Sequence, residues 1–400
     1  MKRAKVKMDI YKIVNEKAIY FLEDMISIRR HIHQNPETSC REYETKKYIE
    51  NIFERKGIGV KGYESNTGSI VDISGSVSGK TFGIRADMDA LNIEEKTEAD
   101  YKSIKDGVMH ACGHDGHIAM TIGAALILNE IKDELNGRVR FIFQPAEEQF
   151  GGAKKMIAEG ALENPNLDAV IALHLWPDLN KGTIGIKDGC IMASNDKFEV
   201  KIKGKGGHGA MPHKCVDAIV AGCQFISSAQ SIISREIDPL DSAVITFGTF
   251  NSGTSYNIVS SETIISGTVR TVDEKTRDFI EKRLKYILYG MSISYNIDFE
   301  FNYIRQYPPT INNSQLNAIL EQSALSVFGN RNVLKINKPY MTAEDFAYYG
   351  QKIPGAIYLL GTCDEVYKYP LHSDKFDFDE DILASGAAFL AMAAINYLNL

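Results

Sequence analysis

Arg138-Val-Arg-Phe-Ile-Phe143 runs directly into Gln144-Pro-Ala-Glu-Glu-Gln149. The first six residues read as a buried strand, and the next six place two adjacent carboxylates at its carboxyl end. Working outward, residues 113–135 carry apolar side chains at helical spacing, and residues 168–174 form a second apolar run that ends on His174. Residues 69–74 and 81–85 read as short strands, the second leading into Asp87 and Asp89. Residues 8–34 and 41–56 read as helices. Strands separated by helices imply a sheet covered on both faces, of α/β class. In such sheets ligands gather at the carboxyl ends of the strands. The polar side chains Asp87, Asp89, Gln144 to Gln149 and His174 all fall at those ends.

Past residue 190 the texture changes. Residues 197–203 alternate as a half-buried strand, 215–235 read as a helix, 242–250 and 263–271 as strands, 274–291 as a helix and 297–303 as a strand. The order β-α-β-β-α-β is the split βαβ, or ferredoxin-like, arrangement. It predicts an inserted α+β domain over 190–304, inside a discontinuous first domain made of 1–189 and 305–400. The last stretch supplies a helix near 315–328, a strand at 356–360 and a closing helix at 379–398. A chain of 400 residues exceeds what one core usually serves, which agrees with two domains.

With 45 basic against 52 acidic residues the net charge is −7, and no long run of one sign occurs. Nucleic acid is therefore not an expected partner, since it calls for a basic footprint. The basic opening residues are followed by Asp9, Lys12, Asn15, Glu16 and Lys17 rather than an apolar core, so no signal peptide is expected. Apolar stretches such as 118–128 are too short to span a bilayer. The six cysteines lie far apart without CxxC pairs, which predicts reduced thiols in the cytoplasm.

Five clusters carry chemistry. Met109-His-Ala-Cys-Gly-His-Asp-Gly-His117 holds a Cys and a His two residues apart before a helix, with Gly113 permitting the turn that would aim both at one place. Thiolate and imidazole suit zinc and related metals, although a buried Cys beside a hydrogen-bonded His is equally ordinary. Glu147 and Glu148 are either a solvated turn or a division of labour, one carboxylate on metal and the other taking a proton. His174 ends a buried strand, the usual place of a satisfied core histidine. Tyr369-Pro-Leu-His372 follows Thr342-Ala-Glu-Asp-Phe346. Lys203-Gly-Lys-Gly-Gly-His-Gly-Ala-Met-Pro-His213 is a Gly-rich loop with His208 at its tip; no GK[ST] follows, so it is not a phosphate loop.

Together with Arg29-Arg-His-Ile-His-Gln-Asn-Pro-Glu37, Gly83-Ile-Arg-Ala-Asp-Met-Asp-Ala-Leu91, Gly267-Thr-Val-Arg-Thr271 and His372-Ser-Asp-Lys-Phe-Asp-Phe-Asp379, these clusters cover nearly the whole chain. In that order and spacing the chain resembles the M20 metallopeptidase and amidohydrolase family, in the aminoacylase-like branch of N-acyl-amino-acid, hippurate and indole-3-acetyl-amino-acid hydrolases. The resemblance implies a zinc-aminopeptidase-like catalytic domain, with a mixed central sheet flanked by helices, and an inserted lid and dimerisation domain. It further implies that Cys112, His114, Glu148, His174 and His372 bind two divalent metal ions, Zn or Mn first, with Co and Ni as alternatives. Glu147 would be the general base and Asp87 a support behind the metal ligands. His208 and Asn257 would reach the substrate from the inserted domain, and Arg270 would hold its carboxylate. The resemblance also implies a homodimer paired through the inserted domain, with His208 entering the partner's site. His31, His33, His110, His117 and His213 are expected to be structural or secondary. The common pattern is departed from in three places: Asn92 replaces a proline, the pair Gln149-Phe150 replaces a smaller pair, and Thr342 replaces a frequent glycine.

The expected reaction is removal of an acyl group, such as acetyl, from a small-molecule N-acyl amino acid by water activated on metal. Dipeptidase or carboxypeptidase action at the same site is the alternative. An inactive metal-binding protein would have lost Glu147 or a ligand, and a Cys112 nucleophile would survive chelation.

Overall fold

In a computed structural model the structure describes residues 2–400, with side chains from Ile10 onward. The chain forms two compact units. One takes the chain up to Gly189 together with Ile311–Asn337 and Tyr348–Leu400, and the other takes Cys190–Thr310 with Lys338–Ala347.

The first unit is built on an eight-stranded mixed sheet. Its order is Val60–Gly62, Ser69–Ser74, Asn136–Gln144, Val77–Asp87, Ala169–Asn180, Gly355–Cys363, Ile184–Ile186 and Val333–Lys335. The four central strands run parallel, Asn136–Gln144 and Ala169–Asn180 each flanking Val77–Asp87, and Gly355–Cys363 beside Ala169–Asn180. Parallel strands are buried on both faces and so read as continuous apolar runs. Phe141, Phe143, Ile84 and Ile171 are all inaccessible. Asp87 and Gln144 are register partners, so the parallel strands bring both polar ends to one edge.

Two covering helices are apolar around their whole circumference. His114–Glu130 is buried from His114 to Leu128, and Ile382–Leu398 is buried along nearly its whole length. A helix with no polar face belongs inside a layer rather than on its surface. The helical periodicity expected over 113–135 stops at Glu130, and Lys132–Glu134 is a 3₁₀ turn. The helix expected over 8–34 is two, Lys2–Tyr20 and Leu22–Gln34, meeting at Phe21.

The second unit is a four-stranded antiparallel sheet in the order Ala243–Ser252, Glu262–Thr271, Asp196–Lys203, Asp298–Arg305, with the helices Ala218–Ser231 and Glu274–Ser294. Strict alternation puts Phe198, Val200 and Ile202 inside, where they meet Ile265, Phe225 and Leu284. The first helix starts at Ala218 rather than 215 because Asp217 caps it, accepting from the N–H groups of Ile219 and Val220. Lys338–Ala347 departs from the expected single return at 305. The Ala193 N–H donates to the carbonyls of Tyr340 and Thr342 at 3.0 and 2.9 Å, which ties this later segment to the second unit.

Candidate metal centre

The strands of the first unit supply the site, mostly from at or just past their carboxyl ends; His174, expected to end its strand, lies midway along it instead. Val77–Asp87 delivers Asp87 and, two residues on, Asp89. Asn136–Gln144 delivers Glu147 and Glu148, and Ala169–Asn180 carries His174. Gly113, at φ +82°, makes the left-handed turn expected of it, after which His114 opens its helix. His372, also at positive φ (+63°), is pinned by its N–H to the Ala111 carbonyl at 2.8 Å.

Two triads share one sulfur. A ligating atom from each of Cys112, His114 and His174 falls within 4.8 Å of the others, and so does one from each of Cys112, Glu148 and His372. Cys112 Sγ lies 3.7 Å from His174 Nε2, and His372 Nε2 lies 3.3 Å from Glu148 Oε1. Glu147, buried on the same turn, forms a further group with His114 and Glu148.

The free electron pairs suit a cation. His114 Nδ1 bonds the Asp89 carbonyl at 2.8 Å and His174 Nδ1 bonds the Leu175 carbonyl at 2.7 Å, so each ring donates from Nδ1 and turns Nε2 inward. His114 Nε2 and Glu148 Oε1 are buried and have no hydrogen-bond partner among the described residues. Such buried polar atoms are costly unless something satisfies them. The electrostatics point the same way. Burial, reinforced by the carboxylates of Glu148, Glu147 and Asp87, pushes the Cys112 thiol well above its ordinary pKa. Burial opposes a charge on His114, yet Asp87 and Asp89 outweigh it and push the ring up to about 10. Burial and the neighbouring His117 hold His174 neutral. Thiol, imidazole and carboxylate donors under this excess of negative charge fit a pair of divalent cations.

Asp87 stands behind this set: Oδ1 lies 2.6 Å from His117 Nδ1, and Oδ2 accepts from Arg85 at 2.6 Å and lies 3.7 Å from His114 Nε2. His117, expected as a structural or secondary histidine, is thus part of the site's support. The sequence marks Asp89 only as a polar strand end. Its carboxylate accepts the backbone N–H groups of Glu147 and Glu148 and its carbonyl accepts from the His114 ring, contacts that span dozens of residues and leave no local signal.

The second unit brings His208 and Asn257 together. Gly207–His208 pairs with Ile258–Val259, and the Gly209 N–H donates to the Asn257 carbonyl at 2.8 Å. His208 is exposed, and its Nδ1 accepts from the Ala210 N–H at 3.1 Å, which leaves Nε2–H as a donor. Arg270 is elsewhere in that unit, on Glu262–Thr271, and its guanidinium is half-buried near the Ser194 carbonyl. In the first unit, Asn92 and the adjacent Gln149 and Phe150, distant from it in sequence, line one cleft of about 460 Å³ with Ser39 and Arg41.

Residues 83–396 match the model of peptidase family M20/M25/M40. The chain is 38% identical to an N-acetyl-L-cysteine deacetylase of Bacillus subtilis, over 94% of its own length and 89% of the relative's. It is equally identical to thermostable carboxypeptidase 2 of Saccharolobus solfataricus, over 94% and 96%. The crystal structure of a Bacillus subtilis dinuclear metal binding peptidase from the M20 family superposes with a TM-score of 0.83 at 34% identity, covering 95% of this chain and 99% of that one. With a family model spanning most of its length and relatives of this identity aligned end to end, the chain belongs to peptidase family M20/M25/M40.

Proposed function

We propose that this chain is a metal-dependent amidohydrolase that removes an acyl group, such as acetyl, from an N-acyl amino acid. The observation that carries the reading is the convergence of Cys112, His114, Glu148, His174 and His372 on one place, with Glu147 beside them. The deacetylase of similar sequence supports the substrate class. Cys112, His114 and His174 would hold one cation, and Cys112, Glu148 and His372 the other; zinc or manganese suits the set, with cobalt and nickel as alternatives. Divalent cations there supply a Lewis acid that acidifies water to a pKa of about 7 and polarises a carbonyl.

Glu147 takes a proton from the attacking water and passes it to the amide nitrogen as the C–N bond breaks, so that the acyl carbon keeps the water oxygen and the amino acid leaves as an amine. His208, with Nε2–H available, would donate to the developing oxyanion. Asn257 and Arg270 would hold the amino-acid portion. The same reading makes the protein a cytoplasmic homodimer joined through the second unit. Six free cysteines support the compartment, and the sheet edge Ala243–Ser252, which exposes Val244 and Phe250, supports the interface. No helix among the described residues is long and apolar enough to cross a membrane.

Peptide hydrolysis by the same residues is the second reading, favoured by the carboxypeptidase of equal identity. Steady-state rates on a panel of N-acetyl amino acids against dipeptides and C-terminally extended peptides, with metal content measured on the same sample, decide between them. Hydrolysis should vanish on exhaustive chelation and return with added divalent metal. Full activity in a verified metal-free sample overturns the reading.

A further inference from the structure

Three consecutive peptide N–H groups on the turn after Asn136–Gln144 end on side-chain carboxylates. Ala146 donates to Glu42 Oε1 at 2.9 Å, Glu147 to Asp89 Oδ1 at 2.9 Å and Glu148 to Asp89 Oδ2 at 3.0 Å. Both acceptors are buried acids, and Asp89 also lies beside the His114 ring, whose Nδ1 is 3.6 Å from Oδ1. A buried carboxylate is costly unless several donors satisfy it. Asp89 gains a third donor in the Ser39 hydroxyl at 2.5 Å. Glu42 gains the Cys40 N–H on Oε1 and the Thr67 hydroxyl on Oε2.

The turn these acids hold is strained. Ala146 sits at φ +57°, a left-handed conformation that is unfavourable for a residue bearing a Cβ. Its carbonyl accepts the Gly152 N–H at 3.0 Å, and a Cβ on Gly152 would fall 1.7 Å from the Pro145 carbonyl oxygen. Strain of this kind persists only where the surroundings over-determine it.

We propose that Asp89 and Glu42 are positioning residues for the glutamate pair. They clamp the peptide planes of Ala146, Glu147 and Glu148 so that one glutamate is aimed at substrate while its neighbour is aimed at metal. The proposal rests on the functional reading above, which gives the two glutamates different tasks. Adjacent side chains on a free turn would wander; three fixed N–H groups leave each carboxylate only its own χ angles.

The two acids respond differently to amide substitution. In Glu42→Gln the amide oxygen can still accept from Cys40 and Ala146, while the NH₂ can donate to the Thr67 oxygen. In Asp89→Asn one accepting oxygen becomes an NH₂ that faces a backbone N–H, and a buried donor is stranded.

The experiment combines kinetics with hydrogen-exchange mass spectrometry of peptides spanning 144–150 in the metal-loaded protein. Asp89→Asn is expected to lower kcat by about 10–100-fold with KM little changed, and to speed exchange in that segment by about tenfold or more. Glu42→Ala should do likewise, and Glu42→Gln should restore most of the loss. Asp89→Asn with wild-type kcat, unchanged exchange over 144–150, or a Glu42→Gln protein as impaired as Glu42→Ala each overturns the proposal. Should Asp89→Asn not fold, the Glu42 pair decides alone. If the wild type hydrolyses no amide, the functional reading fails, while the exchange data still show whether the clamp exists.

Discussion

His117 Nδ1 lies 2.6 Å from Asp87 Oδ1, while its other ring nitrogen accepts the N–H of Leu175 at 2.9 Å. With both nitrogens engaged the ring has one neutral tautomer, donating from Nδ1, and no electron pair left for a cation. It is a brace between the helix His114–Glu130 and the strand Ala169–Asn180, and it holds the carboxylate that faces His114. His117→Ala should therefore weaken zinc affinity by about 10-fold without unfolding the protein. Titration calorimetry on the chelated protein measures it. Wild-type affinity in that variant would show that Asp87 keeps its orientation from Arg85 alone.

The neighbouring glutamates should give different phenotypes. Glu147→Gln keeps the side chain's shape and removes the proton acceptor, so metal content should stay near wild type while kcat falls by about 10²–10⁴-fold. Glu148→Gln should lose metal, because Glu148 Oε1 is the buried oxygen left without a partner beside His372 and His114. Elemental analysis of the two purified variants separates the roles, and loss of metal from Glu147→Gln alone would exchange them.

A second buried network should make stability depend on pH. His33 Nδ1 lies 2.8 Å from Asp115 Oδ2 and its Nε2 lies 3.3 Å from Glu95 Oε1, with the Arg29 guanidinium on the same Asp115 oxygen at 2.9 Å. Burial disfavours charge on His33, but Asp115 and Glu95 outweigh both burial and Arg29 and raise its pKa to about 9. The folded value lies above the unfolded one of about 6.5, so the contribution is fully present below that pH and is lost as pH rises through 9. Its ceiling is about 3 kcal/mol. Urea midpoints of the chelated protein should fall between pH 6.5 and 9.5, and His33→Gln should be weaker at pH 6.5 with a flatter slope. Parallel slopes for the two proteins would mean that His33 folds neutral.

Much of this layout is legible in the sequence wherever a local rule governs it. Apolar runs leading into Asp87 and Glu147 announce buried parallel strands with polar ends, Gly113 announces a turn, and alternation over 197–203 announces a half-buried strand, whereas the run that reaches His174 continues as strand to Asn180. What stays hidden depends on partners distant in the chain. Nothing near Glu42 or Asp89 says that they will receive the N–H groups of 146–148, and nothing near Thr342 says that Ala193 will donate to it. The Cys112–His114 spacing alone does not separate a metal site from a buried thiol beside a bonded imidazole. The family resemblance names the ligands, and the inward Nε2 atoms then give that choice a physical basis.

His208 tests whether the catalytic unit is the dimer. It is exposed on the second unit, in the two-residue strand paired with Ile258–Val259, whereas Glu147 belongs to the first unit. If His208 serves the partner's site, a Glu147→Gln chain and a His208→Ala chain should each be nearly inactive alone. In a co-expressed heterodimer, one site combines an intact Glu147 with an intact His208 from the other chain, and the second site lacks both. Random pairing makes half the dimers mixed, each with one working site, so activity should recover to about a quarter of wild type. Differently tagged chains purified through both tags isolate the mixed dimer, which should then show about half the wild-type rate per dimer. A verified mixed dimer as inactive as its parents would place His208 in its own chain's site or outside catalysis.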